Sequence, residues 1–530
     1  MKLQTQDGRP VYILNENSER ERGKTAQENN IAAAKAVAQA IKTTLGPKGM
    51  DKMIVDSSGD IMVTNDGASI LRDLGIKHPA AKMIVSVAKT QDENCGDGTT
   101  SAVILTGELL AQAEELIDNG IHPSIIAEGY KKASVKAKEI AKDCSIPVSE
   151  EGLKDILFNI AMTSMSGKGA EISREVLSDI VVKAVLNAHE HGKINLDDIY
   201  IKSQHGASVH ETEVFNGFII DKNKRSKEMP CKINNPKILL LDGEIDIKQA
   251  QMDTSLNIDD PDVLDKMISN DEDKLKSMAR KVINSGVDVV LVRKGIENIP
   301  ARMFAKNGII AVDMYKLKNL ERISRISGAE IISDVDDITK GVLGTVDVIE
   351  EKDIGETSVM YLKGNNSPIT SIMIRGSSLQ LVEELERALH DALSVAKVTL
   401  DDFSIVSGGG STCMEIAIGL REYAKTVGGR EQLAITRFAN AMESIPKTLA
   451  ENAGISRLDM IIKLNNEHNN GNKHAGINAL TGEVDNMLEN NIIQPLKLIL
   501  SEIDSATEAS SMILRIDDVV IKNPEDFSNE

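Results

Sequence analysis

The spacing of apolar residues changes along the chain, and this change most constrains the fold. From Pro79 to about Asp143, and again over 406–515, apolar residues recur at the three- and four-residue intervals of helices. The middle instead alternates helical stretches with short β-rich runs, namely PKILLLDGEI, VDVVLVRKGI, NGIIAVDM and AEIISD. Helix-rich outer thirds around an α/β centre predict one domain built from both chain ends and another inserted between them.

Local signals divide the region before Pro79. A capping box predicts that Thr25 is the N-cap of a helix, with Glu28 as its partner. Gly46 and Pro47 should end that helix. The following KMIVDSSGDIMVTNDGASIL predicts two short strands around a Ser-Ser-Gly turn, and RIDDVVIK near the other chain end predicts a further strand.

Composition excludes several classes of function. The chain carries 61 basic and 81 acidic residues, a net charge of −20, which argues against a general binder of nucleic acid or anionic membranes. The cysteines are scattered without a CxxC pair, so we expect reduced thiols and a cytoplasmic setting. No run is long and apolar enough for a membrane span, and the first residues do not form a secretory signal.

The stretch QDENCGDGTTSAVILTGELL places two glycines around Asp97, directly before a predicted helix. Helix starts leave N–H groups unpaired, and glycines let a phosphate approach the backbone closely. A carboxylate among phosphates would repel them unless Mg²⁺ lay between, so this stretch predicts a nucleotide-phosphate and Mg²⁺ site. The alternative is that Asp97 or Thr99 is an ordinary N-cap after a glycine turn.

Three other segments could complete such a site. They are the Gly46-Pro47-Lys48-Gly49 loop, the SGGGST loop with Gly409 and Gly410, and VTNDGASIL, which presents Asp66 before a helix. Each of these sequences alone is common in turns and loops and so is a weak indication of a site. The absence of GxxxxGK[ST] from the sequence disfavours a P-loop enzyme.

Two helical segments have open interpretations. In SLQLVEELERALHDALSVAK, Asp391 points away from the apolar stripe, which is typical of a solvated face with an ion pair to Arg387. Residues 247–280 mix apolar and charged residues, with Leu256, Leu264 and Met278 among the apolar ones. They form either an ordinary amphipathic helix on the α/β sheet or a projecting arm whose apolar side touches something transient.

Six motifs in order resemble one family. LGPKGMDKM, VTNDGASIL, HPAAKMIVSVAKTQDENCGDGTTSAVILTGELL, SGGGST, FANAMESIPKTLAENAG and SATEASSMILRIDDVV are similar to those of group II chaperonin subunits, of the archaeal thermosome and eukaryotic cytosolic type. The likeness runs from about residue 10 to residue 522 and is greatest to archaeal thermosome subunits.

The resemblance implies a multidomain α+β architecture. A mostly helical equatorial ATPase domain would comprise 1–149 and 406–530, and an intermediate hinge domain 150–217 and 371–405. An inserted α/β apical domain, 218–370, would bind substrate and carry a helical protrusion at about 247–280. Same or paralogous subunits would form two stacked rings around unfolded protein, in the cytoplasm, with ATP, Mg²⁺ and also K⁺ as candidate cofactors.

The resemblance also assigns roles to residues. Asp97 would hold Mg²⁺, and Asp66 and Asp391 would orient and deprotonate the attacking water, with Asp391 delivered by movement of the intermediate domain. Lys168 would sense the terminal phosphate. The remaining nucleotide contacts would be Leu45, Gly46, Pro47, Gly98, Thr99, Thr100, Ser101, Ser164, Gly409, Gly410, Asn478, Ala479 and Gln494.

Some positions depart from the family pattern. Gln494 stands where relatives usually have glutamate, Ile499 where they usually have lysine, and SMSGKG replaces a more typical Asn-Ser-Lys run. These changes bear on nucleotide affinity and sensing. A scaffold subunit with little turnover is therefore the competing hypothesis, whereas a small-molecule kinase is disfavoured because nothing marks an acceptor pocket.

Overall fold

The computed structural model describes residues 2–4, 10–12, 19–55, 58–168, 173–190, 195–246, 261–314, 316–354, 357–364 and 367–521. The helices within these ranges are α1 Gly23–Ile41, α2 Gly67–Asp73, α3 Pro79–Cys95, α4 Thr99–Asp118, α5 Pro123–Asp143, α6 Leu153–Ser164, α7 Arg174–Glu190, α8 Pro261–Asn284, α9 Asn298–Lys306, α10 Leu317–Ser327, α11 Leu379–Asp402, α12 Ser411–Thr426, α13 Glu431–Met442, α14 Ser444–Asn452, α15 Arg457–Asn469 and α16 Leu496–Leu514. Short 3-10 helices span Lys42–Thr44, Glu150–Gly152, Leu196–Asp198, Val209–Glu211 and Val335–Asp337.

The strands in the same ranges are β1 Lys2–Gln4, β2 Pro10–Tyr12, β3 Glu19–Arg22, β4 Lys52–Val55, β5 Ile61–Thr64, β6 Ile146–Pro147, β7 Ile199–His205, β8 Glu213–Ile220, β9 Lys232–Asn234, β10 Lys237–Leu241, β11 Glu244–Ile245, β12 Val289–Val292, β13 Gly295–Ile296, β14 Ile310–Asp313, β15 Ile331–Ile332, β16 Gly344–Thr345, β17 Val348–Ile354, β18 Thr357–Lys363, β19 Thr370–Gly376, β20 Ser404–Ser407, β21 Ala475–Asn478, β22 Glu483–Asn486, β23 Ile493–Pro495 and β24 Asp518–Ile521. The chain divides into two compact units. The first joins 1–178 with 387–530, and the second is 179–386.

The first unit is a helical bundle around α4. This helix packs against α1, α3, α13 and α16, and its Val103, Leu109 and Leu110 side chains are fully buried. Aliphatic residues fill most of this core because the chain has few aromatics. Tyr130 and Phe438 meet edge to face at 5.6 Å. The Tyr130 hydroxyl donates to a backbone carbonyl of α4, so even this buried polar atom has a partner.

The two chain ends meet in one antiparallel strand pair, β3 with β24. The amide N–H of Gly23 then donates to the Asp517 carbonyl at 2.7 Å, and α1 begins directly at Gly23. The predicted N-cap at Thr25 is therefore wrong: Arg22 is the N-cap, without a side-chain hydrogen bond. The strand pair supplies the partner that a capping side chain would otherwise provide.

Short strands bring distant loops of the first unit together. β20 pairs antiparallel with both β23 and β6, placing Val406 opposite Gln494. β21 and β22 form a hairpin, as do the predicted strands β4 and β5. The loops after β5 and β20 and the β21–β22 hairpin all reach the cavity described below.

The second unit has the predicted α/β pattern. Parallel strands run in the order β14-β12-β10-β15, with Leu240 opposite Leu291, and β16 joins β10 antiparallel. A six-stranded sheet has the order β7-β19-β8-β18-β17-β9. The continuous apolar runs found in the sequence lie on the parallel strands, which are buried on both faces.

The proposed arm at 247–280 lies only partly within the described residues, since 247–260 fall outside them. Residues 261–284 form α8, whose later part buries Leu275, Ala279 and Val282. Ala279 and Val282 belong to the apolar core of the second unit. The projecting arm therefore stays a prediction for the earlier part of the segment.

A search of the described residues for long apolar helices finds none that could cross a membrane.

Candidate functional site

A cavity of about 590 Å³ lies in the first unit. It is lined by the ends of segments that are far apart in sequence: the turn before β4, the starts of α2, α4 and α12, the end of α6, the β21–β22 hairpin and the start of α16. Backbone and small polar groups dominate several of these segments. Such a concave site with convergent polar groups is the usual form of a ligand pocket.

The start of α4 leaves its amides available. Gly98 is the N-cap, with φ +76°, and no side chain caps the helix. The carboxylate of Asp97 instead accepts the N–H of Gly98 itself at 2.9 Å. The interpretation of Asp97 or Thr99 as an ordinary N-cap is therefore wrong, and the N–H groups of Thr99, Thr100 and Ser101 have no recorded acceptor among the described residues. Free amides at a helix start favour an anion.

Gly98 has a positive φ, a conformation that favours glycine. A Cβ atom there would also lie 2.4 Å from Oε1 of Glu502, so a larger residue would displace the end of that side chain.

Asp66 is fixed at the start of α2. Its carboxylate accepts the N–H of Ser69 at 2.7 Å and of Ala68 at 3.4 Å, as an N-cap does. The hydroxyl of Thr99 donates to the same carboxylate at 3.2 Å. Asp66 is thereby oriented beside the start of α4, and it lines the cavity.

Asp391 and Asp97 are joined through Lys168. The ammonium Nζ of Lys168 lies 2.6 Å from Oδ2 of Asp391 and 3.6 Å from Oδ1 of Asp97. Asp391 is only 8 % exposed, so the predicted solvated face is wrong. Its side chain does not line the cavity directly but reaches it through Lys168, which does.

Burial and charge set the protonation of this pair. Burial raises the pKa of Asp391 well above its ordinary value, and the Lys168 ammonium opposes that rise. Burial alone would lower the pKa of Lys168, but the carboxylates of Asp391 and Asp97 outweigh it and raise the pKa. Lys168 is therefore an ammonium at neutral pH, and Asp391 is a more basic carboxylate than an exposed aspartate.

The loop after β20 also lines the cavity. Gly409 has φ +61°, and a Cβ atom there would lie 2.9 Å from the Ile477 carbonyl oxygen. The Ile477 N–H donates back to the Gly409 carbonyl at 2.9 Å, which ties the loop to the β21–β22 hairpin. Within the hairpin the Asn478 amide bonds Asp485, and its oxygen accepts the Leu480 N–H.

The turn at Gly46 and Pro47 is clamped from α14. The side-chain amide of Asn452 donates to the carbonyls of Lys42 at 3.0 Å and Leu45 at 2.8 Å. The Leu449 side chain packs against Gly46. The turn that follows α1 is thus held at the cavity by a helix some four hundred positions away.

Comparison with known proteins identifies the family. The model of the TCP-1/cpn60 chaperonin family matches residues 37–524. The thermosome subunit beta of Archaeoglobus fulgidus is 43% identical over 523 residues, covering 98% of this chain and 96% of that protein. A thermosome subunit of Methanothermococcus thermolithotrophicus is 44% identical over 514 residues, covering 96% and 94%. The thermosome subunit beta of Thermoplasma acidophilum is 42% identical over 518 residues, covering 97% and 95%.

The chain belongs to the TCP-1/cpn60 chaperonin family.

In this chaperonin, the residues expected at the nucleotide gather around the one cavity. Those that line it are Leu45, Gly46, Pro47, Asp66, Asp97, Gly98, Thr99, Thr100, Ser101, Ser164, Lys168, Gly409, Gly410, Asn478, Ala479 and Gln494. Asp391 is the exception, held just behind Lys168. Their individual roles remain predictions.

The chaperonin cavity also has lining residues that the sequence did not indicate. These are the charged residues Arg174 and Glu502. One feature of the sequence could have indicated Glu502: it lies among the buried apolar positions of α16, where a charged residue is unusual. Arg174 lies in none of the motifs quoted from the sequence, so no local signal pointed to it.

The polar groups of the chaperonin cavity fit a phosphate ligand. The hydroxyl oxygen of Ser164 is buried at the lining and has no hydrogen-bond partner among the described residues. Together with the free amides of α4, it offers donors to phosphate oxygens. The described residues contain no group of three or more His, Cys, Asp or Glu side chains that could hold a metal ion, so a cation at Asp97 would need further oxygens from the ligand and from water. That is the usual manner of Mg²⁺ binding to nucleotides.

Proposed function

We propose that this chaperonin subunit binds Mg-ATP in the cavity and hydrolyses it to drive the folding of unfolded proteins. The observation that carries this proposal is the chain of contacts from Asp391 through Lys168 to Asp97 at the cavity wall. It joins a buried basic carboxylate, a cation and a candidate metal ligand beside a helix start with free amides. Family membership and the thermosome relatives support the chaperone role.

The phosphate end of the nucleotide is assigned to the start of α4. The amides and hydroxyls of Thr99, Thr100 and Ser101 would hold phosphate oxygens, and Asp97 would hold Mg²⁺. The cation neutralises the phosphate charge when bound. Gly46 and Pro47 would border the nucleotide, and the remaining nucleotide contacts, Leu45, Gly98, Ser164, Gly409, Gly410, Asn478, Ala479 and Gln494, would complete the site. K⁺ remains a further candidate cation.

The hydrolytic step uses the two further aspartates. Asp66, held rigidly by the amides of α2, would orient a water molecule, and Asp391 would accept its proton. The water oxygen attacks the terminal phosphorus while the bond to the ADP oxygen breaks. Lys168 would move from the carboxylates to the terminal phosphate, releasing Asp391 to act as the base.

Assembly is proposed on the family resemblance. The chain would form two stacked rings with same or paralogous subunits in the cytoplasm and enclose unfolded protein. Residues 1–149 with 406–530 would be the equatorial domain, 150–217 with 371–405 the intermediate domain, and 218–370 the apical domain with a protrusion at 247–280. Movement of the intermediate domain would couple hydrolysis to lid closure.

The decisive experiment separates binding from chemistry. We expect Asp391→Ala to leave the affinity for Mg-ATP within a few-fold of wild type and to lower phosphate release roughly 10²-fold or more, because a general base is lost. We expect Asp97→Ala to weaken Mg-ATP binding itself. Calorimetry of nucleotide binding and steady-state phosphate release on purified protein measure both quantities.

Asp401→Ala is the matched control. Asp401 lies on the same helix as Asp391 but is one-third exposed and pairs with Lys397, so its loss should leave turnover unchanged. If wild type and Asp391→Ala release phosphate equally slowly, the result favours the hypothesis of a scaffold subunit with little turnover. The departures from the family pattern at Gln494 and Ile499 would then explain the slow turnover. Equal loss of nucleotide affinity in Asp97→Ala and Asp391→Ala would show that the two roles are misassigned.

A further inference from the structure

The cavity lining contains two basic side chains among the described residues, and they differ in how their charge is balanced. Lys168 contacts the carboxylates of both Asp391 and Asp97. Arg174 has no carboxylate partner among the described residues; its Nη1 donates to the hydroxyl oxygen of Ser166 at 2.6 Å. Since Ser166 is neutral, no described residue forms an ion pair with the guanidinium beside the cavity.

The hydroxyl of Ser166 is oriented to accept a hydrogen bond from Arg174. Its hydroxyl donates its proton to the Met162 carbonyl at 2.9 Å, which leaves the oxygen lone pairs for the guanidinium. This fixes one edge of Arg174 and leaves its other N–H groups for another acceptor. The arrangement orients the guanidinium without neutralising it.

The position of Arg174 at the start of α7 is unfavourable for the stability of that helix. It is the first residue of the helix, where the helix dipole is positive and a cationic side chain is unfavourable. An anion bound in the cavity beside the guanidinium would be attracted both by this side chain and by the positive end of the helix dipole.

We propose that Arg174 binds the terminal phosphate of ATP. This inference rests on the proposed nucleotide function of the cavity. Through Ser166, Arg174 is attached to the same turn that carries Lys168, and Lys168 contacts the proposed base, Asp391. A planar guanidinium gives phosphate two parallel hydrogen bonds, so Arg174 distinguishes a nucleotide with a terminal phosphate from one without it.

The test compares two ligands in several variants. Binding of ADP and of the β,γ-imido analogue of ATP is measured by calorimetry on the full chain with Mg²⁺. We expect Arg174→Gln to weaken binding of the analogue roughly 10- to 100-fold, the usual effect of a lost charge-assisted hydrogen bond, and to change ADP binding less than threefold. Arg174→Lys keeps the charge without the paired donors and should recover part of the lost affinity.

Arg457→Gln removes the same charge elsewhere in the first unit, from an exposed pair with Glu451, and should leave both affinities unchanged. Circular dichroism melting of each variant checks that the fold is kept, and recovery in Arg174→Lys argues against a purely structural loss. Unchanged affinities in Arg174→Gln, or equal losses for the analogue and ADP, would overturn the assignment to the terminal phosphate. If wild-type protein binds neither ligand, the nucleotide function itself fails and this inference fails with it.

Discussion

At the scale of single residues, Glu502 is the least expected group in the site. Glu502 lines the cavity, yet it is only 5 % exposed. Its side chain has no hydrogen-bond partner among the described residues. Burial raises its pKa well above the usual value of 4.5, and Asp97 adds to that rise. A carboxyl group that ionises less readily repels the neighbouring Asp97 carboxylate less.

This raised pKa predicts how stability depends on pH. A group whose pKa rises on folding stabilises the folded state below its unfolded pKa, and that stabilisation is lost as the pH rises through the folded pKa. We expect Glu502→Gln to stabilise the nucleotide-free protein by about 1–3 kcal/mol at high pH, because an unpaired buried charge is removed. The gain should grow as the pH rises above 4.5 and level off above the folded pKa.

Thermal melting across a pH series, with a metal chelator and no nucleotide, measures this effect. Glu508→Gln provides the control, because Glu508 lies on the same helix with an exposed side chain. A stability difference between Glu502→Gln and wild type that does not change with pH would show that folding does not raise the pKa of Glu502.

At the scale of elements, Asn452 links α14 to the turn after α1. Asn452→Ala removes the hydrogen bonds to the Lys42 and Leu45 carbonyls, and we expect it to lower the free energy of unfolding by about 1–3 kcal/mol. We also expect weaker ATP binding, because Gly46 and Pro47 lose their clamp. Melting and nucleotide calorimetry measure the two effects.

Asn465→Ala separates the clamp from a general loss of an amide. The Asn465 side chain donates to the Ile461 carbonyl within its own helix, α15, so this variant should leave nucleotide affinity intact. Equal affinities in Asn452→Ala and Asn465→Ala would mean that the turn keeps its place without the clamp.

The sequence predicted elements with strong local patterns and failed where a distant partner decides the outcome. The glycines around Asp97 and the β-rich runs of the second unit follow from local spacing, and both appear in the structure as expected. Asp391 was expected in solvent because its own helix turns it away from the apolar stripe. Lys168, 223 positions earlier, covers it. The predicted N-cap at Thr25 is wrong for the same reason. The pairing of β3 with β24 supplies the hydrogen-bond partner at the helix start that the capping box was expected to supply.

The polar lining shows the same limit. Arg174 and Glu502 lie in none of the quoted motifs, and their positions at the cavity arise from packing between segments far apart in sequence. The family resemblance supplied most of the remaining site residues, because it encodes that packing indirectly.

At the scale of the whole molecule, the second unit should fold without the first. It is a continuous segment, 179–386, and contains both sheets with their buried apolar clusters. We expect the isolated segment to show a cooperative thermal transition and the circular dichroism of a mixed α/β fold, because its core needs no residue from outside. A broad, non-cooperative transition with strong binding of a hydrophobic dye would contradict this expectation.

The pairing of β3 with β24 has a consequence for biosynthesis. The first unit buries α4 against α16, so the helices that come first in the chain cannot complete their core until α16 has left the ribosome. At roughly 5–20 residues per second, translation leaves their apolar faces uncovered for tens of seconds, while the continuous middle segment can already fold. The first helices of this chaperonin subunit therefore lack their native core for part of its synthesis.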